Sequence, residues 1–190
     1  VMRSDGEPLV QLMIYRRDVS EATGRLDAAE TQAQESLSIA RELLGDRHPL
    51  TVRASNDLGH TYILLPHRQK ELLAETQRGL AFAYAAYGAD SIHPLVLEMF
   101  SDRAMSLGGL GQLREAIEVQ KKSLAGLQRA TGNDSLEVVN DLQNLASWMF
   151  GIGALQESIR YSREVIAILD KKINRDSNDY AMALAQFGGT

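Results

Sequence analysis

Four histidines are the side chains of this sequence best suited to metal binding or acid–base chemistry, because an imidazole titrates near neutral pH and also binds metal ions. His48 and His93 each precede a proline in a linker that recurs, where capping of the next helix is the simpler role. His60 and His67 lie seven residues apart but flank Pro66, which interrupts the helix between them. We therefore expect neither a metal site nor a bound cofactor.

Other groupings that resemble catalytic motifs fail on their surroundings. The glycine-rich run at 108–111 follows a helical pattern and lacks the lysine and the hydroxyl residue of a phosphate-binding loop. Residues 133–135 match a glycosylation sequon, but no secretory signal accompanies them, so a turn is the simpler interpretation. Carboxylates such as Glu115, Glu118 and Glu157 are typical of solvated helix faces. We expect no enzymatic activity.

The composition excludes several classes of partner. The chain has 190 residues, of which 44% are hydrophobic and 24% charged, as in a single folded domain. Its formal net charge is -5, whereas nucleic-acid binding relies on clustered lysine and arginine, so we expect neither nucleic acid nor a membrane surface as partner. Cysteine is absent, which excludes disulfides and thiolate metal sites. We expect a cytoplasmic protein that packing alone holds together.

A motif recurs along the chain. The segments 24–29, 111–116 and 153–158 match position by position, and 67–72 is a more divergent copy. A small or apolar residue occupies the last position of each copy, and these residues follow one another at intervals of 43, 44 and 42. They are Ala29, Leu72, Ala116 and Ser158. Such a period is typical of stacked helical repeats.

Each copy is predicted to contain two helices around a glycine turn. In the first helix a large residue, a small neighbour and a second large residue share one stripe, as in Leu58, Gly59 and Tyr62. The small position, which is Ala146 in the last copy, lets the partner helix approach closely. A glycine such as Gly111 suits the left-handed backbone that ends a helix. Neither helix buries its apolar face alone, so the copies must stack.

These features resemble tetratricopeptide repeats of the longer, kinesin-light-chain-like type. The resemblance rests on the period, on the Leu-Gly-x-x-His-Pro linker at 44–49 and on Asn-Leu-Ala at 144–146 before a glycine turn. It implies an all-α fold: an α–α superhelix (TPR solenoid) of about four helix-turn-helix repeats plus a partial fifth. A single solenoid would then span residues 1–190. Its repeats would lie at 8–46, 49–89, 94–132, 136–174 and, in part, 177–190.

The sequence departs from the family pattern at several points. Pro66 replaces a turn glycine, Arg103 stands where a leucine is expected, and the His-Pro pair is lost after Gly132. Residues 179–188 resemble the first helix of a further repeat whose second helix is missing. We therefore expect the sequence to be a piece of a longer protein. The alternative is a homo-oligomer in which the exposed ends of the solenoid pack against a second copy.

The resemblance also implies where a partner binds. In this family the first helices line the concave side, and the groove-facing positions lie five before, two before and two after the key leucine. None of these positions carries a lysine here, so a clamp for a C-terminal carboxylate is not expected. A polar stripe is also what any solvated amphipathic helix shows, and this interpretation stays open. The nine positions are Arg53, Asn56, His60, Glu98, Ser101, Met105, Asn140, Gln143 and Ser147.

The function that the resemblance implies is that of an interaction module, a scaffold or adaptor that binds a protein or peptide segment. The alternative is a regulatory or sensor segment of a larger signalling protein, such as a bacterial kinase, a nucleotide-switch protein or a transcription regulator. A hydrolase or transferase built on helical hairpins would instead show a deep pocket with converging charged groups.

Overall fold

A computed structural model describes residues 6–65 and 67–172 of the chain. This part contains eight α-helices, one 3₁₀ turn at Leu136–Val138 and no strand, so the predicted all-α fold of helix-turn-helix repeats is confirmed. The predicted partial repeat at 177–190 lies outside the described residues. The helices are α1 (Gly6–Ala22), α2 (Leu26–Leu44), α3 (Pro49–Ile63), α4 (Gln69–Tyr87), α5 (Pro94–Gly109), α6 (Leu113–Thr131), α7 (Val139–Gly151) and α8 (Leu155–Lys172).

The chain divides into two compact units. The first unit, Val1–Leu110, contains α1 to α5, and the second unit, Gly111–Thr190, contains α6 to α8. The border between the units falls inside the repeat predicted at 94–132, between the two helices of that repeat. Each unit has its own hydrophobic core.

The first unit is built from two sets of helices. Each helix packs against the next along the chain, and α3 also packs against both α1 and α5. The odd-numbered helices therefore form one layer. Its core includes Val10 of α1, Leu37 of α2, Leu58 of α3 and Leu72 of α4, all of which are buried. The burial of these side chains removes apolar surface from water and holds the layer together.

The second unit packs α7 between α6 and α8. Leu142 and Leu145 of α7 lie in a core cluster with Val165 and Leu169 of α8, and all four side chains are buried. Ala146, the predicted small residue of this repeat, is buried in the same cluster. Its carbonyl oxygen accepts a hydrogen bond of 2.8 Å from Ser158 Oγ, so the two helices lie close together at this residue.

The linkers that begin α3 and α5 follow the sequence pattern. His48 Nδ1 accepts a hydrogen bond from the backbone N–H of Leu50 at 3.2 Å, and His93 Nδ1 accepts one from Leu95 at 3.3 Å. A proline follows each histidine as the first helical residue, where a missing N–H costs nothing. The capping role predicted for these two histidines is confirmed.

The predicted glycine turns adopt left-handed backbone. The φ angle is 72° at Gly24, 76° at Gly111 and 79° at Gly153, a region in which a side chain is strained. These glycines follow α1, α5 and α7, which are the first helices of their predicted repeats. The sequence prediction for the turns is confirmed.

Two buried glycines of the first unit differ in how tightly the neighbouring helices surround them. A Cβ atom at Gly59, the predicted contact, would meet Leu72 Cδ1 at 3.7 Å, which is an ordinary van der Waals distance. A Cβ at Gly79 of α4 would instead lie 2.8 Å from Ser55 Oγ and 2.9 Å from Met99 Cε. The position that requires glycine is therefore in the second helix of the repeat, where α4 packs between α3 and α5.

None of the helices in the described ranges combines the length and the apolar character that a membrane-spanning segment needs.

Candidate functional site

A groove of about 730 Å³ lies along the odd-numbered helices of the first unit, and we call it the unit-1 groove. The α3 side chains that line it are spaced at i, i+3, i+4 and i+7, so they form one face of that helix. Helices α1 and α5 flank this face on its two sides. The lining residues are Arg17, Asp18, Glu21, Ala22, Arg53, Asn56, Asp57, His60, Leu64, Leu95 and Glu98.

Four of the nine predicted site residues line this groove. They are Arg53, Asn56, His60 and Glu98. Ser101 and Met105 belong to α5 as well but do not line the groove; Ser101 is half-buried and Met105 is exposed.

The other three predicted residues lie on α7 in the second unit. Asn140 and Ser147 are exposed there, and Gln143 is half-buried. Their helical spacing places the three side chains on the same face of α7. Their part in binding stays a prediction.

A buried ionic cluster forms the floor of the unit-1 groove. Arg17 Nη2 lies 2.8 Å from Asp57 Oδ1 and 3.0 Å from Asp18 Oδ1, and Arg17 Nη1 contacts Glu21. Arg53 Nε reaches the same Asp57 oxygen at 2.7 Å. Only 4% of Arg17 and 5% of Asp57 is exposed. Burial raises the pKa of Asp57, although the positive charges of Arg17 and Arg53 act to lower it.

Two further contacts connect α3 to its neighbours. Asn56 Nδ2 donates a hydrogen bond of 2.9 Å to Glu98 Oε2 on α5, and His60 Nδ1 lies 3.2 Å from Glu21 Oε1 on α1. An ionised carboxylate only accepts hydrogen bonds, so the contact with Glu98 fixes which side of the Asn56 amide carries the NH₂ group. The amide oxygen of Asn56 is thereby turned away from Glu98.

Three buried polar atoms of the groove lining have no hydrogen-bond partner among the described residues. They are Arg17 Nε, Asn56 Oδ1 and Asp57 Oδ2. The exposure of Asn56 is 8%, so all three side chains are more than nine-tenths buried. Most buried polar groups in folded proteins are paired, so three unpaired ones in a single groove are unusual.

The charges of the lining are unequal. Two arginines face four carboxylates, which leaves a formal excess of two negative charges with His60 neutral. Asp102 lies one turn beyond Glu98 on α5, outside this lining. Burial and the negative charge of Glu98 raise the pKa of Asp102 to about 7.

Arg17, Asp57 and Asp102 were not among the predicted site residues. Arg53 and Asp57 have the i, i+4 spacing of a helical ion pair, and so do Arg17 and Glu21, which is the signal that local sequence offered. The bond between Arg17 and Asp57 joins residues of two repeats and has no local signal. Across the described residues, no group of three or more histidine or acidic side chains is arranged to hold a metal ion.

Successive helical pairs, with a groove along the first helices of three repeats, define an α-helical repeat protein. A family model described as "Tetratricopeptide repeat" matches residues 18–71 and 95–171, which is more than half of the chain. The chain belongs to the tetratricopeptide repeat family. Members of this family generally mediate protein–protein interactions.

Solved structures share the fold at low sequence identity. A putative kinesin light chain with nearly identical TPR-like repeats from Podosopora anserina is 16% identical, with a TM-score of 0.79 over 98% of this chain and 85% of that chain. BtubC (BKLC) from P. vanneervenii is 19% identical, with a TM-score of 0.80 over 97% of this chain and 72% of that chain. No curated protein matches the chain. The predicted likeness to kinesin-light-chain-like repeats is confirmed.

Proposed function

We propose that this chain is a scaffold or adaptor module that binds a segment of another protein along the first helices of its repeats, without catalysing a reaction. The observation that carries the proposal is the unit-1 groove, where three first helices contribute to one open surface. Its buried, unpaired polar atoms suit hydrogen bonds to the backbone or side chains of a bound segment.

The proposal includes all nine predicted positions. Arg53, Asn56, His60 and Glu98 would contact the segment within the unit-1 groove. The remaining five, on α5 and on α7 of the second unit, are proposed contacts as well. It also includes a single solenoid over residues 1–190, which the family membership supports, and a cytoplasmic setting, which the absence of cysteine supports.

Self-association is a further part of the proposal. Helix α1 exposes apolar side chains at helical spacing, and α8 exposes a second set. Exposed apolar surface at the ends of a repeat array favours packing against another helix. Sedimentation velocity would show a concentration-dependent dimer if this part is correct. The α1 residues are Leu9, Leu12, Tyr15 and Val19, and those of α8 are Leu155, Ile159 and Ile166.

The test of the main proposal uses a random peptide library displayed on phage. Peptides selected on the wild-type chain are measured by calorimetry against a double variant, Asn56→Ala with Gln143→Ala. We expect this variant to weaken binding about tenfold or more, because it removes one buried amide from the groove and one half-buried amide from α7. Its melting temperature should stay within a few degrees of the wild type.

The matched control is Gln77→Ala with Gln156→Ala, which removes two exposed amides from the second helices α4 and α8. We expect the control to bind selected peptides as the wild type does. Equal affinity for the wild type and the Asn56/Gln143 variant would show that the first helices are not the binding surface. Failure to select any binding peptide would contradict the proposal as a whole.

A further inference from the structure

The sign of the charge that the unit-1 groove prefers follows from how its own ions are paired. Arg17 contacts three carboxylates through its two Nη atoms, and the Nε of Arg53 is bound to Asp57. Both cations of the lining are therefore neutralised within the groove. An acidic segment would have to compete with these existing ion pairs.

The pairing of Glu98 differs from that of the two arginines. Its side chain is exposed, and its hydrogen bond comes from the neutral amide of Asn56. No ion pair to Glu98 occurs within 6–65 and 67–172, the described ranges. Glu98 is thus an accessible carboxylate of the groove that makes no direct ion pair, although the positive charge of Arg53 is close enough to interact with it.

A second observation points to a ligand at this place. The unpaired oxygen Asn56 Oδ1 belongs to the amide whose nitrogen is bonded to Glu98. The carboxylate of Glu98 and the amide oxygen of Asn56 are acceptors on neighbouring side chains, and a group with several N–H donors is needed to reach both because the amide oxygen is turned away from Glu98. The guanidinium of arginine presents several N–H donors in one plane, which suits such a pair better than the single ammonium of lysine.

We infer that the unit-1 groove selects a partner segment with an arginine, whose guanidinium binds Glu98 and Asn56 Oδ1. This inference rests on the proposed interaction function and names the chemistry of the partner. Leu95 lies one turn before Glu98 on α5, and Leu64 lines the same groove, so the aliphatic part of the arginine has apolar surface to cover.

The probes of the first experiment are Nα-acetyl-arginine amide and Nα-acetyl-citrulline amide, which have nearly the same shape and differ in charge. Both are titrated into ¹⁵N-labelled protein at millimolar concentration. We expect the arginine probe to shift the side-chain amide signal of Asn56 and the backbone signals near Glu98. The citrulline probe should bind at least about fivefold more weakly.

Two variants test which residue sets this preference. Glu98→Gln keeps an acceptor for Asn56 and removes the charge, and we expect it to abolish the discrimination between arginine and citrulline. Glu35→Gln removes an exposed carboxylate from α2, outside the groove, and should leave the discrimination intact. The same preference in Glu98→Gln as in the wild type would overturn the inference.

The second experiment uses the peptides selected from the phage library. We expect arginine to be enriched at one position, and replacement of that arginine by citrulline to weaken binding about tenfold. The reversed variant Glu98→Arg should then prefer a peptide with glutamate at that position. Peptides that lose affinity in the Asn56/Gln143 variant, yet show no arginine enrichment, would overturn the arginine preference and leave the interaction function standing. If the selected peptides were acidic instead, they would indicate that Arg53 binds the partner segment.

Discussion

Replacement of Gly79 by alanine tests the helix packing of the first unit against a built-in control. Both Gly79 and Gly59 are buried inside helices, and alanine at either position gains about 1 kcal/mol of helix propensity. At Gly59 the new Cβ would find ordinary contacts, with the nearest atom at 3.7 Å. We therefore expect Gly59→Ala to increase the free energy of unfolding by about 0.5–1 kcal/mol.

At Gly79 the same methyl group would displace its neighbours. The new Cβ lies 2.9 Å from Met99 Cε, which is flexible and gives way at small cost, but 2.8 Å from Ser55 Oγ. Ser55 donates a hydrogen bond of 2.6 Å to Glu75 Oε1, and Glu75 is fully buried. Breaking a hydrogen bond to a charged acceptor costs about 1.5–3 kcal/mol, which exceeds the gain in helix propensity.

We therefore expect Gly79→Ala to lower the free energy of unfolding by about 1–2 kcal/mol. Urea denaturation followed by far-ultraviolet circular dichroism measures both variants under one condition. The free energies of unfolding of Gly79→Ala and Gly59→Ala should differ by about 2–3 kcal/mol. Both variants gain the same helix propensity, but only Gly79→Ala disturbs the packing. If Gly79→Ala were as stable as Gly59→Ala, the close approach of α4 to Ser55 would be refuted, along with the register of this helix pair.

Two other changes in stability can be measured by the same assay. Ala146→Leu overpacks the contact between α7 and α8 and should cost about 1–3 kcal/mol; a neutral result would contradict the assigned contact. Asp102 has a pKa raised to about 7, so the folded chain holds a proton that the unfolded chain releases near its ordinary value of 3.8. The stability of the wild type should fall as the pH rises from about 4 to about 7, and Asp102→Asn should remove this loss. The pKa values of Asp102 in the folded and unfolded chain differ by about three units. This difference corresponds to a loss of at most about 4 kcal/mol in the free energy of unfolding at pH 8, and to almost no loss at pH 4. The urea midpoints of the wild type and of Asp102→Asn at pH 4 and pH 8 test this prediction. A gain in stability from Asp102→Asn that is equal at the two pH values would exclude the raised pKa.

The features of the fold that could be predicted from the sequence are those that local residues determine. Gly24, Gly111 and Gly153 need only their own φ angle to end a helix, and the caps of His48 and His93 reach just two residues along the chain. A pattern of residue types is sufficient for such features. The family and the helical repeat followed from them.

The groove itself could be predicted only in part. Arg53, Asn56, His60 and Glu98 were found because they share the faces of two first helices. The pairing of Arg17 with Asp57 was missed because it connects helices of different repeats, and its partners are set by how those helices stack. The requirement for glycine at Gly79 was missed for the same reason, since a stripe of residues does not show which side of the partner helix comes nearest.

The contacts made by α3 have a consequence for how recognition could change over evolution. One side of this helix reaches Glu21 through His60, and the other reaches Glu98 through Asn56, so both walls are held by side chains only four positions apart. A change at either position would alter one wall and leave the hydrophobic core untouched. If the unit-1 groove binds a partner as proposed, one or two substitutions on this single helix are enough to change its walls, while the packing of the other helices stays the same.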